Sequence, residues 1–110
     1  MRTAINPLGV GDMAKDYIID YGSNSNGWYR KWKSGFIEQW GAITNLSTNT
    51  IQNLPISFSN DNYICVLERY KDSGDTTQNA LLLREKQTSY IRVNCISSNN
   101  INIQWYACGY

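Results

Sequence analysis

Apolar and polar residues alternate with a period of two along much of this chain. The clearest case is a pair of aromatic-rich segments, Gly27–Trp32 and Phe36–Ile43, which flank the short connection Lys33-Ser34-Gly35. Such alternation is typical of half-buried β-strands, and a short glycine-containing connection between two runs of this kind favours a β-hairpin. Because an isolated hairpin is only marginally stable in water, we expect further strands to cover it.

Five later segments continue the strand-like pattern. They comprise residues 50–58, 63–70, 80–85, 89–96 and 101–108, and polar turns separate them. Pro55 cannot donate a ladder hydrogen bond, which places the first of these strands at a sheet edge or at a bulge. Seven short strands with regularly spaced turns predict an all-β fold, an antiparallel β-sandwich.

The first part of the chain does not alternate cleanly. Residues 12–19 fit one or two helical turns with Asp12 as the N-cap. Residues 21–27 are rich in Gly, Ser and Asn, as expected of a flexible connector. We therefore divide the chain into a short N-terminal arm that connects to a shaft, residues 1–26, and a β-sandwich tip domain, residues 27–110.

The charge pattern excludes several kinds of partner. Ten Lys and Arg residues against nine Asp and Glu residues give a net charge of +1, and they are scattered along the 110 residues. Nucleic-acid binding usually needs a concentrated basic patch. No segment approaches the ~20 apolar residues of a membrane span, and no apolar export signal follows the first residues. The sequence predicts neither a nucleic-acid partner nor membrane insertion.

Catalytic chemistry is sparse in this sequence. The chain has no histidine, so Ser-His-Asp and Cys-His arrangements are excluded. A carboxylate pair such as Glu38 and Glu68 could serve a glycosidase. However, nine acidic residues spread over turns and strand faces are more typical of solvated charge. We expect no enzyme activity.

Three cysteines without CxxC spacing argue against a disulfide framework. Cys65 and Cys95 fall within strand-like runs and are predicted to be reduced and buried, whereas the parity of Cys108 leaves its state open. We predict no metal and no cofactor, because the chain lacks a set of ligands with metal-site spacing. Free thiols indicate synthesis in a reducing compartment.

Aromatic residues are more numerous than one small core can hold. They include Trp28, Tyr29, Trp32, Trp40, Tyr63, Tyr70, Tyr90, Trp105, Tyr106 and Tyr110. Core or cross-strand positions are expected for Trp40, Trp105 and one of Trp28 and Trp32. Tyrosine and tryptophan left at a surface usually mark an interface. We therefore predict that Tyr90 and Tyr106, on the polar-alternating faces of their strands, lie in a subunit contact.

The hairpin segment resembles the opening of the C-terminal domain of bacteriophage tail-fibre and tail-spike-like proteins. That family typically reads NGWYRKWSDGWIEQGG, or GLIIQWG in a sister form, and this chain has Asn26–Trp32 followed by Gly35–Gly41. The likeness continues through Phe58, Asn62-Tyr63 and the closing Trp105–Tyr110. Trp40 stands where many relatives have glycine, so the sequence mixes the two forms.

The resemblance implies a homotrimeric antiparallel β-sandwich tip, similar to H-type lectins, that binds carbohydrate or protein on the host surface. It also implies a component of the virion tail, made in the bacterial host cytoplasm and released by lysis, with the N-terminal arm joining the rest of the fibre. The leading hypothesis is a receptor-binding domain that recognises a bacterial cell-surface glycan without catalysis. The alternatives are a structural trimerisation cap without receptor binding and, less favoured, a glycan-degrading enzyme.

Strand parity suggests where a ligand would bind. If strands alternate in direction and the arm enters where Gly27 begins, the opposite end of the sandwich meets a cell surface first. Turns at that end offer amides, carboxylates, ammonium groups and an aromatic ring, which suit sugar hydroxyls and sugar faces. The predicted ligand-binding residues there are Lys33, Asn60, Asp61, Lys86, Gln87 and Tyr110. The rival interpretations are ordinary solvated turns and a groove between subunits that uses Tyr70 or Tyr106.

Overall fold

The fold is taken from a computed structural model of the chain, which describes residues 15–46, 48–70, 80–96 and 101–110. These residues form eight β-strands and no helix, and none could therefore cross a membrane as a helix. The strands are β1 (Ile18–Asn24), β2 (Gly27–Trp32), β3 (Ile37–Leu46), β4 (Thr50–Asn53), β5 (Ile64–Arg69), β6 (Ala80–Lys86), β7 (Tyr90–Ile96) and β8 (Ile101–Gly109).

The strands make two antiparallel sheets. One has five strands in the order β1-β2-β3-β8-β5, and the other has three in the order β4-β7-β6. Each predicted strand from Gly27 onward is present, although several bounds differ. The all-β antiparallel sandwich predicted from alternation is confirmed.

The core lies between the two sheets, where alternate residues of each strand point inward. In β8, Ile101, Ile103, Trp105 and Ala107 are buried, whereas the residues between them are not. The other buried apolar side chains are Ile37, Ile43, Leu46, Leu54, Phe58, Tyr63, Ile91, Val93 and Cys95. Burying a side chain of Leu or Ile size stabilises the fold by roughly 1.5–3 kcal/mol, so these alternating residues fix the register of both sheets.

Strand β1 departs from the predicted helical turns and flexible connector. It pairs antiparallel with β2, from Ile18 opposite Trp32 to Asn24 opposite Gly27. Its apolar and polar residues do not alternate, so the alternation pattern did not predict it, and it forms by backbone pairing with β2. The helical prediction is wrong for residues 18 and 19, and its first residues, 12–14, lie outside the described part of the chain.

The strand predicted over 50–58 is shorter than expected. It ends at Asn53, two residues before Pro55, and β4 is an edge strand of its sheet, as the proline predicted. The chain then crosses toward the other sheet, and Phe58 N donates to Thr88 O at 2.9 Å on the way. The polar segment 71–79 lies outside the described residues.

Strands β2 to β8 alternate in direction along the sandwich: the pairings set the directions within each sheet, and the hydrogen bonds from Phe58 N to Thr88 O and from Tyr63 Oη to Gln87 O align the two sheets. One end, which we call the loop end, therefore carries residues 33–36, 58–62, 87–89 and Tyr110. The expectation that the chain enters at the other end is wrong for residues 16–24, because β1 reverses the path. Tyr17 O accepts from Lys33 N at 2.8 Å, and the Asp16 carboxylate accepts from Ser34 N and Oγ at 2.9 Å each.

Candidate functional site

The outer face of the five-stranded sheet carries a row of aromatic side chains. Trp28 pairs with Trp40 across β2 and β3, and Trp40 pairs with Tyr106 across β3 and β8. Val66 of β5 continues the row beside Tyr106. We call Trp28, Trp40 and Tyr106 the aromatic row. Cross-strand partners on one face have Cβ atoms roughly 5 Å apart, so the row brings these aromatic side chains side by side on the outer face.

Trp28 is the most exposed member of the row, with 52% of its surface accessible. It follows Gly27, whose φ of 141° is in the region that favours glycine and whose missing Cβ avoids the carbonyl oxygen of Trp40. The local backbone thus requires a glycine immediately before Trp28. This requirement fixes the start of β2 and the place of the indole on the sheet.

The neighbouring row on this face is polar and centred on Glu38. Tyr106 Oη donates to Glu38 Oε2 at 2.6 Å and Trp32 Nε1 donates to Oε1 at 3.1 Å. Arg30 Nε lies 3.2 Å from Oε1, and the Arg30 guanidinium carbon lies 5.0 Å from the centre of the Trp40 ring. The carboxylate therefore connects β2, β3 and β8 across the outer face.

These contacts determine the protonation of the cluster. Desolvation acts to raise the pKa of Glu38, but the hydrogen bonds from Tyr106 and Trp32 and the charge of Arg30 outweigh it and lower that pKa. Desolvation, together with the bond to Glu38, raises the pKa of Tyr106 above its ordinary range. At neutral pH the cluster thus holds an ionised carboxylate and a neutral phenol.

Two grooves flank Trp28 on the outer face. The first, of about 420 Å³, extends toward β8 and β5 and is lined by Trp28, Trp40, Gly41, Ala42, Val66, Leu67, Glu68, Gln104, Trp105 and Tyr106. The second, of about 370 Å³, extends toward β1 and is lined by Tyr21, Gly22, Ser23, Trp28, Tyr29, Arg30 and Trp40. Small-ligand sites usually measure about 300–1,000 Å³, so each groove could hold a small ligand.

The predicted ligand-binding residues do come together at the loop end. Lys33, Asn60, Asp61, Lys86, Gln87 and Tyr110 lie on or beside its turns. Several of their polar groups are used by the fold itself. Lys86 Nζ donates to Tyr63 O at 2.6 Å, Gln87 Nε2 donates to Glu85 Oε2 at 2.7 Å, and Asn60 Oδ1 accepts from Asn62 N at 2.8 Å.

Tyr110 and Lys33 contact aromatic neighbours at the loop end. The Tyr110 ring meets Phe36 edge-on at 5.6 Å between centroids and remains 55% exposed. Lys33 Nζ lies 5.4 Å from the centre of the Tyr17 ring. Tyr110, Asp61 and Lys33 are thus the most available of the predicted ligand-binding groups, while Asn60, Lys86 and Gln87 mainly hold the turns.

The two tyrosines predicted to lie in a subunit contact are on opposite outer faces. Tyr106 belongs to the aromatic row, whereas Tyr90 lies on the outer face of the three-stranded sheet. Tyr90 Oη donates to Glu85 Oε2 at 3.3 Å, and Glu85 pairs with Arg92 at 2.9 Å. Both tyrosines are half-buried within their own chain. Tyr70 lies just beyond β5 and lines neither groove.

Sequence reasoning missed the importance of Trp28 and its groove. It expected core or cross-strand positions for Trp40 and for one of Trp28 and Trp32, and Trp28 does pair with Trp40 across β2 and β3, but on the outer face beside Glu38 and not in the core. The expectation for Trp105 is confirmed, since that side chain is 2% exposed. One sequence feature could have indicated the site: Trp28, Arg30 and Trp32 alternate along β2, so a cation lies between two indoles on one face of the strand.

The described residues contain no cluster of three or more His, Cys, Asp or Glu side chains that could hold a metal ion. Cys65, Cys95 and Cys108 are free thiols, of which Cys95 is buried and the other two are half-buried. Burial raises the pKa of the Cys65 thiol to about 11 and also raises that of Cys95. Raised pKa values of this kind are typical of structural cysteines.

Solved tail fibres share this fold. The C-terminal fragment of the P. aeruginosa R2 pyocin fibre matches with a TM-score of 0.67 at 15% identity, over 96% of this chain and 30% of that one. An N-truncated R1-type pyocin tail fibre matches with a TM-score of 0.56 at 13% identity, over 96% of this chain and 98% of that one. This chain thus spans less than a third of the R2 fibre fragment. Among curated proteins, no sequence matches this chain.

A family model agrees with the structural likeness. The model of the C-terminal region of gp53-like tail fiber proteins matches residues 31–110, most of the chain and all of the strands from β3 onward. The solved fibres support the same assignment through their fold. This chain therefore belongs to the gp53-like tail fiber family and is a C-terminal tail-fibre domain of the phage and pyocin type.

Proposed function

We propose that this domain is the receptor-binding tip of its tail fibre and attaches the fibre to a bacterial cell-surface glycan without catalysis. The exposure of aromatic rings on a rigid sandwich carries this proposal. Tyr21, Trp28 and Tyr110 expose 75%, 52% and 55% of their surfaces. Exposed tyrosine and tryptophan give large contact areas at a low cost in conformational entropy and are enriched where proteins recognise partners.

The carboxylates favour adhesion over glycan cleavage. A glycosidase acid needs a raised pKa, whereas the pKa of Glu38 is lowered and both its oxygens are engaged. Glu38 pairs with Cys108 and Glu68 pairs with Gln104, four residues apart on β8. That spacing separates the backbone positions of the two residues by about 13 Å along the strand, whereas the carboxyl groups of a glycosidase pair face each other at roughly 5–10 Å.

The assembly that we propose is a homotrimer. A cyclic trimer joins two different patches of each subunit, and the outer face of the three-stranded sheet, which carries Tyr90, supplies one of them. The rest of the fibre connects through the residues that precede β1. The domain then belongs to the virion tail, is made in the host cytoplasm and is released by lysis.

The loop end is one location that we propose for the receptor because of its exposed groups and not because it lies opposite the entering chain, since residues 16 and 17 lead into β1 at this same end. Asp61 and Tyr110 are exposed there, on turns that the sandwich holds rigidly. Lys33 is exposed beside them, whereas Lys86, Gln87 and Asn60 support the turns through hydrogen bonds. Alanine at Asp61 and Tyr110 should weaken attachment if the ligand sits here.

Binding of the fluorescently labelled chain to a panel of bacterial strains tests the function. We expect saturable binding to a subset of strains, competed by polysaccharide extracted from those strains. Binding to no strain, together with a stable trimer, would favour the structural cap and overturn the receptor-binding proposal. Release of new reducing ends from the extracted polysaccharide would overturn the non-catalytic part.

A further inference from the structure

We infer that the two grooves beside Trp28 form one continuous binding site for an uncharged oligosaccharide, with Trp28 as the platform for a central sugar ring. This inference rests on the proposed attachment to a cell-surface glycan. It places the ligand on the outer face of the five-stranded sheet, away from the loop end.

The grooves meet at shared side chains. Trp28 and Trp40 line both of them, and every other lining residue belongs to one groove alone. A ligand that contacts Trp28 therefore reaches into a groove on each side. Because each groove is large enough for a sugar unit, the arrangement fits a chain of linked rings better than a single monosaccharide.

The exposed indole supplies the apolar contact that a pyranose needs. Sugar rings have a face of C–H groups that packs on aromatic rings and an edge of hydroxyls that forms hydrogen bonds. Trp28 is half-exposed, and Val66 across the first groove is 54% exposed. Scattered surface hydrophobics need no explanation, but here the apolar groups border concave surfaces of small-ligand size.

The first groove also supplies hydrogen-bonding groups that the fold does not use. Glu68 and Gln104 are exposed and face each other across β5 and β8. Their side chains have no hydrogen-bond partner within the part of the chain that the structure describes. A carboxylate and an amide side by side can accept from and donate to adjacent hydroxyls.

Charge narrows the class of ligand. Glu68 places a negative charge in the first groove and would repel an acidic sugar there. In the second groove Arg30 is already paired with Glu38 at 3.2 Å, so its charge is largely neutralised. The site thus favours neutral sugar units over uronic or sialic acids, which would leave an unpaired charge at the contact.

The test uses the full chain and one strain from the panel to which the wild-type chain binds. The probes are oligosaccharides released by mild acid from that strain's surface polysaccharide, fractionated by length, and titrated by tryptophan fluorescence. We expect Trp28→Ala to weaken binding by about tenfold or more, as for an aromatic group at the centre of a contact. Trp28→Phe should retain part of the affinity, and Ile51→Ala, at an exposed apolar residue of β4 that lines neither groove, should bind as the wild type does.

The outcomes separate this inference from the function on which it rests. Unchanged cell and oligosaccharide binding by Trp28→Ala would overturn the site and leave receptor binding intact. A change of oligomeric state in Trp28→Ala, seen by light scattering, would show that a second copy of the chain covers this face and would also overturn it. A wild-type chain that binds no strain contradicts the proposed function itself. Thermal melting of each variant confirms that the fold is retained.

Discussion

The indole nitrogen of Trp105 lies 2.9 Å from the point that a Cβ would occupy at Gly41, directly opposite on β3. This close approach lets a fully buried tryptophan pack beneath the aromatic row. Gly41→Ala should destabilise the domain by about 1–3 kcal/mol, because the added methyl overlaps the ring and overpacks the core. Urea unfolding measures the change. Ala42→Ser, exposed on the other face of the same strand, is the matched control and should be nearly neutral.

Glu38→Gln should reduce stability at neutral pH and weaken its dependence on pH. The folded state lowers the pKa of Glu38 below its ordinary value, so its ionised form stabilises the fold above that ordinary value, near pH 4.3. This contribution is lost as pH falls through the folded pKa. The difference in unfolding free energy between the wild type and the variant should therefore be largest near pH 7 and shrink below about pH 4. Equal differences at pH 7 and pH 3 would contradict this account.

The hydroxyl and the ring of Tyr63 should make separate contributions to the free energy of unfolding. Its Oη donates to Gln87 O at 2.8 Å, and its ring stacks on Phe58 with 4.1 Å between centroids. Tyr63→Phe should cost about 0.5–1.5 kcal/mol, the usual value of one hydrogen bond. Tyr63→Ala should cost about 3–5 kcal/mol, because it also leaves a cavity. Tyr110→Phe removes a hydroxyl from an exposed ring and should change little.

The thiols should react slowly in the native protein. With a pKa of about 11, Cys65 is a thiolate in only about one molecule in ten thousand at pH 7. Cys95 is 1% exposed, so reagent reaches it only when the structure opens. Native labelling with a thiol reagent should modify both at least about a hundredfold more slowly than the unfolded chain. Rapid labelling of all three cysteines in the native state would contradict the buried-thiol assignment.

The proposed trimer should be detectable as a threefold higher molecular mass in solution. Light scattering at micromolar concentration is expected to give about 38 kDa, three times the 12.6 kDa of the chain. A monomer under these conditions would overturn the proposed assembly. The paired variants Tyr106→Phe and Tyr90→Phe then test which face is in contact, since each removes only a hydroxyl.

Alternation was sufficient to predict most strands, because their register is set by burial. β8 is the clearest case: its inward residues from Ile101 to Ala107 are each apolar. β1 could not be predicted this way. Its residues are mostly exposed, and it forms through backbone pairing with β2, which no pattern of side chains encodes.

The candidate site was harder to predict than the fold. Parity shows that Trp28, Arg30 and Trp32 share a face, but not which face the second sheet covers. The aromatic row arises from the pairings of β2 with β3 and of β3 with β8. The β3–β8 contact joins Trp40 to Tyr106, far apart in sequence. The loop-end residues could be predicted because turns are encoded locally. Which end of the sandwich the chain enters could not, because that depends on the pairing of β1 with β2.

Attachment to a surface glycan is the central claim, and it is tested most directly on whole cells. A strain that binds the labelled chain is treated with periodate, which cleaves vicinal diols of sugars, and binding is compared with that to mock-treated cells. The account predicts that binding is lost after periodate and retained after protease treatment of the same cells. Binding that survives periodate and disappears with protease would contradict it.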